Sequence, residues 1–249
     1  MKPLRALAGL ALAAGLAACA ATPAEDLGSG PPDNVITPEQ ERYSILDRES
    51  DPFQGFNQGV YAFNAWFDRW FFLPVTNAYR FVTPNFVEDR VSSFFNNLKE
   101  FRNGSNAALQ GKPDDVGIAF ARLFINSTVG IFGLFDWATE FGYAQRQEDF
   151  GQTLGVWGVP AGPYLVLPIL GPSGVRDAFG LGVDSAVNAF VPPMSIVDEQ
   201  VFFTPAVYLL YAVDQRRQVQ FRYFDTGTPF EYEYLRFLYR KKRELDVMR

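Results

Sequence analysis

Acid–base chemistry in this chain would have to come from carboxylates. They occur in pairs at Asp114-Asp115 and Glu148-Asp149, and Glu231 and Glu233 stand close together near a helix start. Two carboxylates in unlike environments can divide into a general acid and a general base. Helix capping and solvated faces are the plainer roles, and no segment joins a nucleophile to a base and an oxyanion donor. The serines are scattered, and none lies in a Gly-x-Ser-x-Gly elbow. With no histidine in the chain, Ser-His-Asp and Cys-His catalysis, His-containing zinc sites and a histidine general base are excluded. A net charge of -6 argues against nucleic acid, whose phosphates need a basic face. The reading is therefore a binding or transport protein, not an enzyme, with no catalytic or metal-ligating residues and no cofactor.

The one cysteine, Cys19, precludes an internal disulfide framework but has chemistry of its own. Lys2 and Arg5 precede a ten-residue apolar run, residues 7–16, too short to span a bilayer and typical of a secretory signal. The run ends in Leu16-Ala17-Ala18-Cys19, which resembles the lipobox of bacterial lipoproteins. That resemblance implies a diacylglyceryl group on the Cys19 thiol, cleavage before it and acylation of the new amine. Two or more acyl chains anchor stably where one is marginal. An ordinary signal peptide that happens to contain a cysteine is the alternative. Ala20, in place of an aspartate, follows the cysteine and implies sorting to the outer membrane. The expected organisation is a signal peptide at 1–18, a lipidated N-terminus and tether at 19–49, and a folded domain at 50–249. The tether is rich in Ala, Gly, Pro, Ser and Asp, with little to bury.

The elements of that domain read as helices punctuated by glycine and proline. Ser50-Asp51-Pro52 predicts a helix start with Asp51 as cap. Phe53, Phe56, Val60, Phe63, Phe67 and Trp70 then recur at helical spacing until Pro74, which is expected to end the helix. So aromatic a face is either a core stripe or a helix lying at a bilayer interface. A second run from Phe86 to Phe101 meets a break at Asn103-Gly104, and Gly111-Lys112-Pro113 closes it, with Asp114 as the next cap. Residues 116–135 carry a single charge, Arg122, and polar Asn126-Ser127-Thr128. A helix shielded by neighbours, its polar notch turned inward, fits better than a lone lipid-exposed span. Residues 150–175 are uncharged and hold six glycines and four prolines, which no single helix accommodates. Tyr164-Leu165-Val166-Leu167 reads as a short extended piece. Further helices are predicted near 174–187, 205–221 and from Thr228-Pro229 onward, the last ending at the basic cluster 240–243. That cluster is either a dipole-complementing helix end or a lipid-headgroup contact. Irregular apolar backbone is tolerated at membrane depth only when buried or lining a cavity.

Several ordered blocks are similar to the MlaA/VacJ family of outer-membrane phospholipid-transport lipoproteins. They begin with Asp51-Pro52-Phe53-Gln54-Gly55-Phe56-Asn57 and Tyr61-Ala62-Phe63-Asn64. Phe94-Phe95-Asn96-Asn97-Leu98, Ala108-Leu109-Gln110-Gly111 and Arg122-Leu123-Phe124-Ile125-Asn126 follow. Then come Glu148-Asp149-Phe150-Gly151-Gln152-Thr153-Leu154-Gly155, Trp157-Gly158-Val159, Gly162-Pro163-Tyr164 and Gly171-Pro172-Ser173. The C-terminal part fits more loosely.

The resemblance implies an all-α fold, a ring of amphipathic helices lying in the membrane plane, with Gly/Pro-rich loops around an amphipathic pore. It implies residence in the inner leaflet of the outer membrane, on the periplasmic side, anchored through Cys19. Glycerophospholipids would leave the outer leaflet through the pore and pass to a periplasmic lipid carrier of the Mla type, preserving lipid asymmetry. An outer-membrane porin trimer would be the neighbour. Carried onto this sequence, the pore and gate candidates are Phe63, Asn64, Asn126, Gly151, Gly155, Gly158, Gly162, Pro163, Tyr164 and Pro168. The alternative is a structural, porin-binding envelope lipoprotein with no lipid conduit.

Overall fold

Pro74 does not end the first helix. In the computed structural model, which describes residues 51–190, 203–228 and 230–249, α1 (Gln54–Phe67) runs through a π-helical segment (Asp68–Phe72) into α2 (Leu73–Val82). Pro74 lacks an N–H and its ring crowds the carbonyl four residues back, so a regular α-turn is disfavoured there. The π segment absorbs the misfit, with the Leu73 N–H reaching Asp68 O, five residues back. Cys19, the tether, Pro192-Pro193 and Pro229 lie outside the described residues.

Asp51 accepts the Phe53 N–H at 3.1 Å, so α1 starts at Gln54, two residues later than the Pro52 expectation. The carboxylate also takes the Asn57 amide at 3.1 Å and the Tyr232 hydroxyl. α3 (Asn85–Leu109) passes unbroken through Asn103-Gly104. Gly104 is there for contact, because a Cβ at that position would lie 3.2 Å from Ala119 Cβ on α4 (Pro113–Thr128). Gly111, at φ +72°, ends α3. α4 then begins at Pro113, so Asp114 sits in the first turn, where its charge suits the helix dipole, and makes no capping bond. The chain continues through α5 (Trp137–Glu140), α6 (Phe150–Val156) and a hairpin of β1 (Tyr164–Leu167) and β2 (Gly171–Gly174). The hairpin is antiparallel, with Tyr164 opposite Gly174 and Leu167 opposite Gly171. It is followed by α7 (Val175–Phe190), α8 (Phe203–Gln218) and α9 (Glu231–Met248). The fold is all-α apart from this hairpin, and among the described residues no helix is long and apolar enough to cross a membrane.

The helices are polar inside and aromatic outside. On α1 and the π segment, Phe56, Phe63, Trp66 and Trp70 are exposed, while Asn57, Tyr61, Asn64 and Asp68 are buried. The predicted aromatic stripe is therefore an outer face and not a core face. On α4, Phe120 and Phe124 face out, while Ala119, Arg122 and Asn126 are buried. All four tryptophans are exposed, Trp66 at 58% and Trp70 at 63%. Aromatic exposure on this scale marks an interaction or membrane surface.

Burying charge is costly unless it is paired and hydrogen-bonded, and the pairing here is extensive. Arg122, 1% exposed, meets Glu100 at 2.5 Å and Asp136 at 3.0 Å, and donates to Thr139 at 2.9 Å. Of the inward notch expected at Asn126-Ser127-Thr128, Asn126 joins Arg122 in this network, whereas Thr128, at the end of α4, is exposed. Of the carboxylates read as caps or solvated faces, Glu148 and Glu231 are neither. Asp149 does cap α6, accepting from Gln152 N at 2.8 Å. Glu148, however, is buried under Lys112 and Arg249, and Glu231 is buried holding Thr226 and the Phe224 N–H.

The basic cluster lies mid-helix, because Glu244 and Asp246 extend α9 through ion pairs to Lys241 (2.9 Å) and Lys242 (2.6 Å). Arg243 turns inward as a latch. It binds Asp149 at 2.7 and 2.9 Å and Asp177 at 2.9 and 3.0 Å, joining α9 to α6 and α7. Burial opposes ionisation of both carboxyls, but their hydrogen bonds to Arg243 outweigh it and hold both below the ordinary 3.8.

Two outcomes follow from this packing. Gly180 of α7 lies so close to α6 that a Cβ would stand 2.3 Å from Gly151 N, whereas Gly182 has open space. Gly180→Ala is expected to destabilise by roughly 1–3 kcal/mol, and Gly182→Ala to stabilise by up to about 1 kcal/mol, read by thermal denaturation. For the latch, a depressed folded pKa means stabilisation present above the ordinary aspartate value and lost as pH falls through the folded one. Proteolysis of α9 is expected to accelerate on acidification below about pH 4, and Arg243→Gln to remove most of that dependence.

Candidate functional site

A cavity of about 810 Å³ lies between α1, the π segment, α3, the hairpin, α7, α8 and the start of α9. That volume is in the range of small-molecule sites. Aromatic and aliphatic side chains make most of its wall, among them Phe67, Phe72, Phe95, Leu181 and Tyr211. Phe95 and Tyr211 meet edge to face at 5.1 Å. Polar groups break this lining at defined points: Asn64, Lys99, Arg102, Asp184, Gln215 and the Asp68–Arg216 pair. The result is an amphipathic chamber, not a uniformly greasy one.

The hairpin wall is held by two asparagines of α1. Asn57 accepts the Val166 N–H at 2.8 Å and donates to Tyr164 O at 3.0 Å. Asn64 accepts the Ile169 N–H at 2.7 Å and donates to Leu167 O at 3.0 Å. Each side-chain amide behaves as one more rung of the sheet. Seven residues of helix rise about 10.5 Å, and the three-residue offset between the clamped points spans about 10 Å of strand. The two repeats match, so both asparagines engage at once. Ile169, β-branched yet at φ +68°, sits at the hairpin tip, a conformation that costs about 1–3 kcal/mol and persists only when its surroundings impose it. The Asn64 bond to its N–H is part of that imposition.

About one turn beyond Asn64, Asp68 takes Arg216, whose guanidinium forks onto it at 2.5 and 2.8 Å and ties the π segment to α8. Arg216 also donates to Val219 O at 2.8 Å and Phe221 O at 3.1 Å, which fixes the chain beyond α8. Lys99 donates to Gln215 at 2.8 Å and Asn96 at 3.2 Å. Burial, then the Arg102 charge, pushes its ammonium down to about 8, against the opposing pull of Asp214 and Glu100. Burial likewise raises the Asp184 carboxyl.

Of the residues selected from sequence, the cavity wall takes Asn64, and from the uncharged segment it takes Ile169, Leu170, Gly171 and Pro172. Pro168 stands between the two backbone groups that Asn64 clamps. Tyr164 is buried beneath the hairpin with its ring near Tyr232 and Tyr239. Pro163 O receives the Val175 N–H at 3.2 Å. Phe63 is exposed on the outer face against Trp66 and Phe67. Asn126 braces Asp136 at 2.9 Å and the Ala138 N–H at 2.9 Å, away from the cavity. Gly151 and Gly155 pack α6 against α7 and α9, while Gly158 (φ +89°) and Gly162 (φ +71°) shape the turns between α6 and β1. Lys99, Arg102, Asp184 and Gln215 were missed. The only signal for them was two cations three residues apart within a helix otherwise read for its apolar face.

Among the described residues no cluster of three or more His, Cys, Asp or Glu is placed to hold a metal ion. The class of protein defined here is an all-α one that holds an amphipathic chamber and carries many exposed aromatic residues, all four tryptophans among them, on its outer face. The chain belongs to the MlaA lipoprotein family, which matches residues 49–246. An intermembrane phospholipid transport system lipoprotein MlaA of Escherichia coli is 37% identical over 153 residues, 59% of this chain and 58% of that one. An uncharacterized protein of Rickettsia prowazekii is 40% identical over 127 residues, 51% of each chain. The chain thus spans about half the length of the curated relatives it matches. A solved structure from work on the structural basis for maintenance of bacterial outer membrane lipid asymmetry superposes with a TM-score of 0.66. It shares 30% identity and covers 80% of this chain and all of that one.

Removing the tip clamp should be visible directly. Asn64→Ala removes the side-chain bonds to the Leu167 carbonyl and the Ile169 N–H and is expected to cost about 1–3 kcal/mol. Amide hydrogen exchange should rise at 166–170 and stay unchanged in α4.

Proposed function

We propose that this protein is an outer-membrane lipoprotein whose chamber conducts glycerophospholipids out of the outer leaflet and on to a periplasmic carrier, maintaining lipid asymmetry. Cys19 anchors it to the inner leaflet on the periplasmic side, and the helical ring lies in the membrane plane beside a porin trimer. One observation carries the reading: a chamber with an apolar wall and discrete polar points, inside a shell of exposed aromatic residues. A phospholipid has the same two-part chemistry, acyl chains for the apolar wall and a polar head for the amides and charges. The Escherichia coli relative is an intermembrane phospholipid transport system lipoprotein, which supports a phospholipid as the ligand. Tryptophans belong at the headgroup level of a bilayer, which suits the placement of Trp66, Trp70, Trp137 and Trp157 on the outside. The hairpin tip, Ile169 and Leu170, is exposed and also borders the chamber, so it serves as the gate within 151–172. The shape of this segment rests on the Gly158 and Gly162 turns.

A photoreactive residue replacing Leu170 in cells is expected to crosslink glycerophospholipid, and one replacing Lys242 on the exposed side of α9 is not. Absence of lipid adducts at position 170, with protein abundance unchanged, would overturn the conduit. The structural, porin-binding lipoprotein would then be the better account.

A further inference from the structure

Two cations on the chamber wall lack a contacting counter-charge. Lys99 and Arg102 stand one turn apart on α3, a spacing at which like charges repel. The acids around them are engaged elsewhere. Glu100 holds Arg122 at 2.5 Å and Gln145 at 2.9 Å. Asp214 accepts from Ser92 at 2.5 Å and Gln218 at 2.7 Å, and lies 3.6 Å from Arg217. Asp184 accepts from Asn106 and from the Phe150 N–H, both at 3.0 Å.

Lys99 spends two of its three donors on neutral oxygens, those of Asn96 and Gln215, and lies 5.5 Å from the centre of the Tyr211 ring, so its remaining want is a counter-charge. The Arg102 guanidinium makes no hydrogen bond or ion pair among the described residues, and its Nε is buried without a partner. Other arginines with an unpartnered Nε are compensated in other ways. Arg69 lies over Trp70, Arg90 over Phe86 and Phe135, and Arg217 pairs with Glu88. Arg102 has no such ring and no such acid. A half-buried guanidinium whose Nε is cut off from water without a partner is unfavourable, and an anion from outside would complete the arrangement. The neighbouring apolar wall, Phe95 and Tyr211 with Phe72 and Leu181, limits the anion to one that brings hydrocarbon with it.

We propose that Lys99 and Arg102 form an anion subsite for the phosphodiester of a glycerophospholipid, with its acyl chains laid along the Phe95–Tyr211 wall. Lys99 supplies a point charge and its remaining N–H, while Arg102 presents the planar fork that matches two phosphate oxygens. The subsite deepens the conduit reading and depends on it. It makes the headgroup phosphate a requirement for entry, since uncharged lipids leave the two cations unpaired.

The test uses the full-length lipidated protein in detergent micelles and follows binding by native mass spectrometry. Its probes are phosphatidylglycerol, diacylglycerol with the same acyl chains, and inorganic phosphate. Wild-type protein is expected to prefer phosphatidylglycerol over diacylglycerol by about tenfold or more, the worth of one good charge-assisted contact. Lys99→Gln with Arg102→Gln should abolish that preference and leave diacylglycerol binding unchanged, while Arg102→Lys should keep most of it. If the double variant does not fold, Arg102→Gln alone serves, since it removes a guanidinium that holds nothing in place. Equal wild-type binding of both lipids, or an undiminished preference in the variant, overturns the subsite and leaves the conduit standing. Binding of neither lipid overturns both. Inorganic phosphate binding as tightly as phosphatidylglycerol overturns the lipid assignment in favour of free phosphate.

Discussion

Everything around the chamber depends on a helix finishing the hydrogen bonding of a hairpin. Two strands are too few to stand alone, and residues 164–174 have little else to pair with. Asn57 and Asn64 supply the missing rungs from α1, each giving one donor and one acceptor to the β1 backbone or its extension. The match between two turns of helix and three residues of strand makes the joint rigid in two places. It also sets the distance between the hairpin tip and Phe67, Phe72 and the Asp68–Arg216 pair. The chamber's width on that side is therefore a consequence of amide chemistry on one helix.

The same logic recurs wherever elements meet. Asn106 takes Asp184 and Thr153, Asn103 takes Glu100 and the Glu148 N–H, and Asn126 takes Asp136 and the Ala138 N–H. A protein with an apolar exterior gains little from hydrophobic burial when its surroundings are themselves apolar, and interhelical hydrogen bonds then become the directional adhesive. Buried ion pairs are weak evidence for net stability. Breaking one strands a charge, though, and that penalises alternative packings of α6, α7 and α9 around Arg243. Lys99 and Arg102 are the exception that makes the rest informative, since they lack a counter-charge while Asp68 pairs with Arg216 and Asp184 accepts from Asn106 and the Phe150 N–H.

Much of this was legible in the sequence, for identifiable reasons. The 3–4 spacing of Phe53 through Trp70 specifies a helix regardless of which side it buries, and Tyr164-Leu165-Val166-Leu167 between prolines specifies a strand. Arg122 and Asn126, lying four apart in an otherwise apolar run, had to share a protected face. Which face is inside was not legible in α1, because an aromatic stripe fits a core and a membrane surface equally well. The structure settled it by burying the asparagine side. Pro74 and Asn103-Gly104 misled for a common reason: local propensity was overridden by tertiary context, through a π turn in one case and a close approach to Ala119 in the other. The cavity residues on α3 and α8 were invisible because their meaning lies in what they fail to contact. No one-dimensional pattern records that.

The π segment has a consequence of geometric phase. Apart from Ala65 beside Asn64, buried positions along the first helix step by three or four, Asn57, Tyr61, Asn64 and Asp68, and then jump by five to Leu73 before resuming at Thr76. The jump is the same count as the Leu73-to-Asp68 hydrogen bond. One extra residue is thus stored in the turn, and it rotates everything downstream by about 100°. Were the same residues wound as a regular α-helix, Pro74 would crowd the carbonyl four residues back and Leu73 and Thr76 would turn out of the interior. The segment behaves like a gear tooth: its length is the setting that keeps the two halves of the helix in mesh.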